Sequence, residues 1–209
     1  MVFLFKTFKR STFINLFPSH DQLIKKCINS IKNQTYTNFD VFEIDYGGDG
    51  NQVYEGSSFE SFELKNHALA HNYLLDKVFS LGYDYAANVN IDDFYSLKRF
   101  EKQLFYMKKG YDIISSDFYA VSERGLIKRR FEMHNKDIVE EANKNHNIIC
   151  HPVVCYSKHF WTTCSRLNPD EIPVDDFNLW RRSFGKYRFI ILPHYLCFYR
   201  IHQFKVCNQ

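Results

Sequence analysis

Two runs of strand-forming residues in this chain each end abruptly in an acidic loop. Residues 39–44 (FDVFEI) run into DYGGDG, whose adjacent glycines allow a turn that most residues could not make, and residues 85–89 (YAANV) run into NIDDFY. Residues 66–81, between these runs, repeat apolar positions at helical spacing. Alternating strands and helices imply a mostly parallel sheet covered on both faces, which binds ligands at the carboxyl ends of its strands. We therefore expect both acidic loops at one edge of one sheet.

The remaining segments continue the alternation. Residues 2–5 predict a strand, the stretch after Pro18 predicts a helix, and Leu97, Phe100 and Leu104 predict another helix after NIDDFY. The second half reads as a strand in YDIISSDFYAV, an apolar HPVVCY run, a helix over 176–183 and a paired-strand tail from YRFII onward. A chain of 209 residues can bury one good core but not two. We therefore expect a single domain over 1–209.

Composition narrows the classes of partner. The chain is 45% hydrophobic and 24% charged, typical of a globular protein, and no apolar run approaches the roughly 20 residues of a membrane span, so we expect no integral membrane segment. The net charge of +3 is spread without a lysine- and arginine-rich block, which argues against nucleic acid as a partner. Six cysteines without a leader or a C-x-x-C pair favour reduced thiols and a cytoplasmic location. Zinc binding by the cysteines and histidines of 150–164 is the weaker alternative, because their spacing matches no common zinc pattern.

Asp92 and Asp93 follow one predicted strand directly. Adjacent carboxylates at a strand end are oxygen ligands suited to Mg²⁺ or Mn²⁺, and a loop there leaves coordination positions open for phosphate and water. A hard cation that bridges diphosphate oxygens would stabilise the charge on a leaving nucleotide diphosphate. The alternative is an exposed acidic pair in a helix-capping turn.

An ordered set of short motifs accompanies these acids. In chain order they are KTFKR (6–10), SIKNQTYTNF (30–39), DYGGDG (45–50), AHN (70–72), NIDD (90–93), DDFNLWRR (175–182) and YRIH (199–202). The set resembles the inverting family 2 glycosyltransferases with the GT-A fold, over nearly the whole chain. The resemblance implies a Rossmann-like, mostly parallel twisted sheet with helices on both faces and a small antiparallel element in the C-terminal half. It also implies a nucleotide-binding part over about 1–95 and an acceptor and catalytic part over about 96–209.

The resemblance assigns a donor site. It implies that Thr7 and Phe8 face the nucleotide base, that Asp45 hydrogen-bonds the base, and that Asp92 lies near the ribose and the metal. It also implies that Asp93 coordinates the metal directly. A flat aromatic ring suits a flat base.

The C-terminal motifs concern the acceptor. Asp176 matches the position of the general base that deprotonates the acceptor hydroxyl, with Asp175 beside it as the second candidate. His151 and Trp180 match the acceptor region, although a histidine beside an apolar strand is more often structural.

Other positions depart from the family pattern. His71 stands where an arginine often touches the nucleotide, Tyr46 replaces an Asp, Asn90 replaces the first acid of the metal loop, and Lys6 replaces a proline. His202, in the closing YRIH, is expected as a third metal ligand or a phosphate ligand, with an ordinary surface histidine as the alternative.

Structural roles compete with several of these assignments. Phe8 could be one core aromatic among 21 phenylalanines, and Asp45 could be a turn residue that closes a loop before glycines. Asp175 and Asp176 could serve as the negatively charged start of a helix, favourable to its dipole by about 0.3–1 kcal/mol.

The resemblance implies a metal-dependent inverting glycosyltransferase that uses Mn²⁺ or Mg²⁺. It would move a sugar by direct displacement from a nucleotide-diphosphate sugar, UDP-sugar ahead of dTDP- or GDP-sugar, to a hydroxyl of a glycan or related acceptor. Because the chain stops seven residues after His202, we expect a soluble acceptor, or a homo-oligomer or partner subunit that completes the site. The alternative is a catalytically inactive nucleotide- or glycan-binding relative that serves as a subunit of a transferase complex. A metal-dependent phosphohydrolase would need a second metal site or a nucleophile, for which no motif is present.

Overall fold

The computed structural model describes residues 2–7, 20–47 and 50–201, with the backbone alone for 2–7, 20 and 21. The strands are β1 (Val2–Thr7), β2 (Asp40–Tyr46), β3 (Ser58–Phe62), β4 (Tyr85–Asn90), β5 (Phe94–Tyr95), β6 (Ile113–Val121), β7 (Ile127–Phe131), β8 (Cys155–Ser157) and β9 (Phe189–Arg200). The helices are α1 (His20–Lys32), α2 (His67–Ser80), α3 (Arg99–Met107), α4 (Ile138–Asn143), α5 (Lys158–Thr163) and α6 (Asp175–Ser183), with short 3-10 helices at His151–Val153 and Pro169–Glu171.

All the described strands join one sheet in the order β3-β2-β1-β4-β8-β6-β9-β5, with β7 paired to β6. Strands β3, β2, β1 and β4 are parallel to their neighbours in this part of the sheet. In the second half β9 runs parallel to β6, whereas β8, β7 and β5 are antiparallel to their neighbours. The sheet is therefore mixed, and its antiparallel part is larger than the small element expected from the sequence.

Helices cover both faces of the sheet, as predicted. Successive residues of β2 and β4 alternate between two buried clusters: Phe42 and Ala86 belong to one, and Val41 and Ala87 to the other. Such alternation is expected of strands buried on both sides. The first cluster includes apolar residues of α2, α5 and α6, and the second includes residues of α1 and α3. None of the described helices is long and apolar enough to cross a membrane.

Local chemistry sets the ends of α2. Asn66 is extended, and its side-chain oxygen accepts a hydrogen bond from the backbone N–H of Leu69 at 3.1 Å, a typical N-cap. Gly82 has a φ of +94°, which favours glycine and ends the helix where the sequence predicts. The helix therefore begins immediately after the parallel strand β3.

The C-terminal tail differs from the predicted pair of strands. It is one twelve-residue strand, β9, whose register against β6 shifts so that Ser116 is opposite Leu192 and Asp117 is opposite Tyr195. The shift passes over exposed Pro193, which lacks the N–H that a regular ladder needs. The proline therefore bends one strand rather than separating two.

Candidate functional site

The carboxyl ends of β1, β2 and β4 lie together at one edge of the sheet. Thr7 of β1 is opposite Asp45 of β2, and Lys6 is opposite Asn90 of β4. The two acidic loops predicted from the sequence therefore begin on either side of β1. Adjacent strands lie about 4.7–4.9 Å apart, so one ligand at the end of β1 is within reach of both loops. Phe8 lies outside the described residues.

Asp45 orders the loop that follows β2. Its side chain is almost fully buried, and its Oδ2 accepts a hydrogen bond from the backbone N–H of Gly50 at 2.7 Å. The hydroxyl of Ser61 on β3 lies 3.5 Å from the same oxygen. The turn-closing role stated as the alternative is therefore present, and contact with a nucleotide base stays a prediction.

A second buried acid, Glu43, holds the same loop and was missed by the sequence reasoning. Its carboxylate accepts hydrogen bonds from the backbone N–H groups of Val53 at 2.8 Å and Tyr54 at 3.0 Å, and from the hydroxyl of Ser57 at 3.0 Å. Burial raises the pKa of Glu43 despite these donors. Its position inside an apolar strand run was the available signal, since a buried carboxylate needs donors.

The two acids of the NIDD loop have different surroundings. Asp93 is fully buried, and its Oδ1 accepts a hydrogen bond from the backbone N–H of Arg200 at 2.7 Å. Asp92 is half-buried, and its backbone carbonyl accepts a hydrogen bond from Arg200 Nε at 2.7 Å. Burial lowers the pKa of Arg200, an effect opposed by the charges of Asp93 and Asp92. The end of β9 thus fixes the loop, a contact absent from the sequence-level account.

The oxygen ligands that this loop can offer suit a hard divalent cation. Two carboxylates stand side by side at a strand end, and the less buried one, Asp92, is the better placed to meet a ligand from solvent. Among the described residues there is no group of three or more His, Cys, Asp or Glu side chains that could hold a metal ion. His202, the third ligand expected from the sequence, lies outside them. Remaining coordination positions would fall to diphosphate oxygens and water.

The SIKNQTYTNF motif supports the acidic loop from α1. Gln34 donates hydrogen bonds to the backbone carbonyls of Ser30 at 2.8 Å and Ser96 at 2.7 Å, and accepts one from the backbone N–H of Phe100 at 3.1 Å. The hydroxyl of Ser30 accepts a hydrogen bond from the backbone N–H of Tyr95 at 3.1 Å. The motif therefore ties α1 to the turn between Asp93 and α3.

A second acidic pair opens α6. Asp175 is almost fully buried, and its Oδ2 lies 3.3 Å from Nε2 of His67, in the first turn of α2. Asp176 is half-buried, accepts the backbone N–H of Phe177 at 2.7 Å, and lies 3.5 Å from the side-chain amide of Asn147. His67 was not selected from the sequence, because its partner is 108 residues away.

These contacts move the pKa values of the two acids in opposite directions. Burial alone would raise the pKa of Asp175, but the hydrogen bond and charge of His67, with the charge of His151, lower it. Burial and the adjacent Asp175 raise the pKa of Asp176 to about 6. Opposite shifts in neighbouring carboxyls are the usual basis for separate catalytic roles.

Beside this pair lies a buried group of rings. The hydroxyl of Tyr156 lies 3.1 Å from Nε2 of His71 and 2.9 Å from Nε2 of His151, and the centroids of the two imidazoles are 5.0 Å apart. His71 and Trp180 are fully buried, and Trp180 is a core residue 5.9 Å from the ring of His151. Contact of His71 with a nucleotide and of Trp180 with an acceptor stays a prediction, since both side chains are enclosed by the protein in this structure. His151 is half-buried.

The segment that carries His151 contacts the edge of the sheet where the two acidic loops begin. The side-chain amide of Asn88 on β4 donates a hydrogen bond to the carbonyl of His151 at 3.0 Å. The hydroxyl of Tyr95 donates to the carbonyl of Pro152 at 3.3 Å and accepts the backbone N–H of Asn90 at 2.9 Å. The segment that carries His151 is therefore held against the strand that ends in the acidic loop.

The described cysteines are free thiols. Burial raises the pKa of Cys155 to about 12 and that of Cys164 to about 11. These thiols stay protonated at neutral pH, whereas a zinc ligand is a thiolate.

Comparison with known proteins gives a consistent picture. No protein-family model matches the chain. The chain is 24% identical over 201 residues to the O-antigen biosynthesis glycosyltransferase WbnJ of Escherichia coli, an alignment that covers 88% of this chain and 76% of that protein.

Solved structures share the fold. The TarS structure from S. aureus matches with a TM-score of 0.65 at 12% identity, over 96% of this chain and 36% of TarS. TarS residues 1–349 in complex with UDP-GlcNAc match with a TM-score of 0.63 at 11% identity, over 100% of this chain and 61% of that one. The mannosyltransferase PcManGT from Pyrobaculum calidifontis, in complex with GDP-Man and Mn²⁺, matches with a TM-score of 0.63 at 12% identity, over 98% of this chain and 58% of that one.

The chain thus spans between about a third and three fifths of the length of these structures. The expected α/β glycosyltransferase fold, with helices on both faces of the sheet, is confirmed. In sequence and in fold, this chain is similar to glycosyltransferases.

Proposed function

We propose that this chain transfers a sugar from a nucleotide-diphosphate sugar to a hydroxyl group of a glycan or related acceptor. The observation that carries the proposal is that the DYGGDG and NIDD loops begin at the carboxyl ends of the two strands that flank β1. Structures of the same fold hold UDP-GlcNAc in one case and GDP-Man with Mn²⁺ in another. Ligands of open α/β sheets bind at this kind of edge.

The donor would lie across the end of β1. Asp45 would accept a hydrogen bond from the base, and Asp92 would lie near the ribose and diphosphate, with Thr7 and Phe8 as the expected base contacts. A bound Mn²⁺ or Mg²⁺ would stabilise the negative charge that develops on the leaving nucleotide diphosphate. Asp92 and Asp93 are the carboxylates that would hold such an ion, together with His202. UDP-sugar is the preferred donor, in line with the family resemblance.

Asp176 is the proposed general base. A base must be deprotonated at working pH yet basic enough to take a proton, and a pKa of about 6 meets both needs near neutrality. Its carboxylate would accept the proton of the acceptor hydroxyl as the new carbon–oxygen bond forms and the bond to the diphosphate breaks. Direct displacement of this kind inverts the anomeric centre. Asp175, held ionised by His67, would position the first turn of α6 and raise the basicity of Asp176.

The test combines donor binding with transfer. Melting temperatures are measured with UDP-, dTDP- and GDP-sugars, each with and without Mn²⁺; ligand at about 100 times its dissociation constant stabilises a fold by roughly 2.7 kcal/mol. The stabilising donor is then supplied in labelled form with a panel of glycan acceptors. We expect stabilisation by one nucleotide class and transfer of its sugar. Binding without transfer to any acceptor would favour a non-catalytic subunit, and absence of binding would refute the proposed donor site.

A further inference from the structure

The β6–β7 hairpin has an exposed apolar tip. The chain reverses over residues 122–126, where Gly125 has a φ of +82° and donates its backbone N–H to the carbonyl of Ser122 at 2.8 Å. Leu126 and Ile127, directly after this turn, are 66% and 54% exposed. Two adjacent aliphatic side chains held in water at a hairpin tip are unfavourable unless something covers them.

Positive charge surrounds this apolar tip. These cations are exposed, and the ion pairs found in the described ranges involve other lysines and arginines. The exposed cations of the hairpin are Arg124, Lys128, Arg129 and Arg130.

The two acids of the same hairpin do not neutralise these cations. Glu132 accepts a hydrogen bond from the hydroxyl of Tyr195 at 2.5 Å. Glu123 lies beside the guanidinium of Arg200, which donates a hydrogen bond to its backbone carbonyl. In the part of the chain that the structure describes, none of the four cations at the tip forms a salt bridge.

The hairpin is fixed relative to the proposed donor site. Arg200 of β9 is opposite Val121 of β6, and the same residue donates its backbone N–H to Asp93 at 2.7 Å. Ile201, which is 43% exposed, donates its N–H to the carbonyl of Val121 at 2.9 Å. A surface that binds the tip would therefore orient the acidic loop as well.

We propose that the tip of the β6–β7 hairpin, residues 124–130, docks onto an anionic lipid bilayer. Leu126 and Ile127 enter the interfacial region, and the flanking cations contact lipid phosphates. Apolar side chains combined with clustered Lys and Arg are the chemistry that binds an anionic membrane surface without spanning it. Cations on an edge strand can also prevent strand pairing between molecules. Exposed Leu126 and Ile127 argue against this alternative role, because exposed apolar side chains on an edge strand favour association. The inference does not depend on the proposed sugar transfer.

The test is co-sedimentation of the purified chain with vesicles of phosphatidylcholine alone, or with about 30% phosphatidylglycerol, at low and high salt. We expect binding that requires the anionic lipid and weakens with salt. Each cation near an anionic surface contributes about five-fold to partitioning, so replacing three of them should weaken binding about 100-fold. Replacing the two aliphatic residues should weaken it about ten-fold or more. The two hairpin variants are Lys128→Gln/Arg129→Gln/Arg130→Gln and Leu126→Gln/Ile127→Gln.

Matched controls replace the same number of cationic or apolar residues by Gln at exposed positions elsewhere, and every variant must keep the wild-type melting temperature. Binding that is absent, or that falls equally in the controls, would overturn the proposal. Hairpin-dependent binding of dextran sulfate without binding to either vesicle would assign the patch to a soluble polyanion and would also overturn it. The controls are Lys25→Gln/Lys108→Gln/Lys186→Gln and Leu97→Gln/Phe105→Gln.

Discussion

Nε2 of His67 lies 3.3 Å from Oδ2 of Asp175, so the first turn of α2 is joined to the first turn of α6. The pair lowers the pKa of Asp175, whereas the pKa of the adjacent Asp176 is raised to about 6. Two carboxylates next to each other in sequence thus differ in chemistry because Asp175 is hydrogen-bonded to the imidazole of His67, whereas Asp176 contacts the Phe177 N–H and the Asn147 amide. This difference leads to testable expectations.

Asp176→Asn is expected to remove sugar transfer and to spare donor binding. An amide cannot accept the proton of the acceptor, and loss of a general base lowers kcat by about 10²–10⁴-fold. Steady-state kinetics report kcat, and the nucleotide-induced shift in melting temperature reports binding. Asp170→Asn, at an exposed acid shortly before α6, is the matched control and should behave as wild type. Wild-type transfer by Asp176→Asn would exclude Asp176 as the base.

The raised pKa of Asp176 also predicts two effects of pH. Activity should fall as the pH drops through about 6, because the base becomes protonated. Stability should change in the opposite sense, because the pKa of Asp176 is higher in the folded than in the unfolded chain. The contribution of Asp176 to the free energy of unfolding is therefore fully present below about pH 4 and is lost as the pH rises through about 6. Asp176→Asn should therefore raise the free energy of unfolding at pH 8 by an amount on the order of 1 kcal/mol. Urea unfolding at pH 4 and pH 8 checks this, and an equal effect at both would contradict it.

His67→Ala should destabilise the fold by leaving the Asp175 carboxylate buried without its partner. Loss of a hydrogen bond to a buried charged group costs about 1–3 kcal/mol. The pKa of Asp175 is lower in the folded than in the unfolded chain. The stability that the pair with His67 contributes is therefore present above the unfolded pKa and is lost as the pH falls through the lower folded pKa. The difference from wild type in urea unfolding should therefore be larger at pH 7 than at pH 3. Lys65→Ala, which breaks a 4.0 Å pair with Asp170 at the surface, should change stability little.

Two substitutions of Asp93 should separate its structural role from its proposed metal role. Asp93→Asn keeps an oxygen that can accept the backbone N–H of Arg200 but removes the charge beside this buried guanidinium, so the melting temperature should fall less than in Asp93→Ala. It removes the negative charge, so Mn²⁺-dependent stabilisation by nucleotide should be lost. Asp93→Ala removes both and should also lower the free energy of unfolding by about 1–3 kcal/mol.

Asp84→Asn, at an exposed acid just before β4, is the control for both substitutions. If Asp93→Asn kept the full Mn²⁺ response, the carboxylate of Asp93 would have no part in holding the metal. The structural contact with Arg200 would then be its whole role.

Much of the fold could be predicted from local patterns. Strands β2 and β4 are near-continuous apolar runs that end in glycines or acids, and α2 has an Asn66 cap and a Gly82 stop. Strands β3 and β7 were missed because they are mostly exposed and lack a hydrophobic pattern, and β5 has only two residues. The tail from YRFII onward was predicted as paired strands, whereas β9 is one strand whose register against β6 shifts around Pro193, because a proline interrupts the local pattern without telling whether pairing resumes.

The sequence by itself determined which acids end the strands and that parallel strands carry them to one edge, because the side-chain period and the handedness of strand–helix–strand units are local rules. Only the tertiary structure decided which acid has which partner. His67 meets Asp175 across 108 residues, and Arg200 meets Asp93 across 107. The pKa of a carboxyl depends on burial and on charges within a few ångströms, and those neighbours are set by packing of distant segments. For the same reason, the burial of His71 and Trp180 could not be known before the fold.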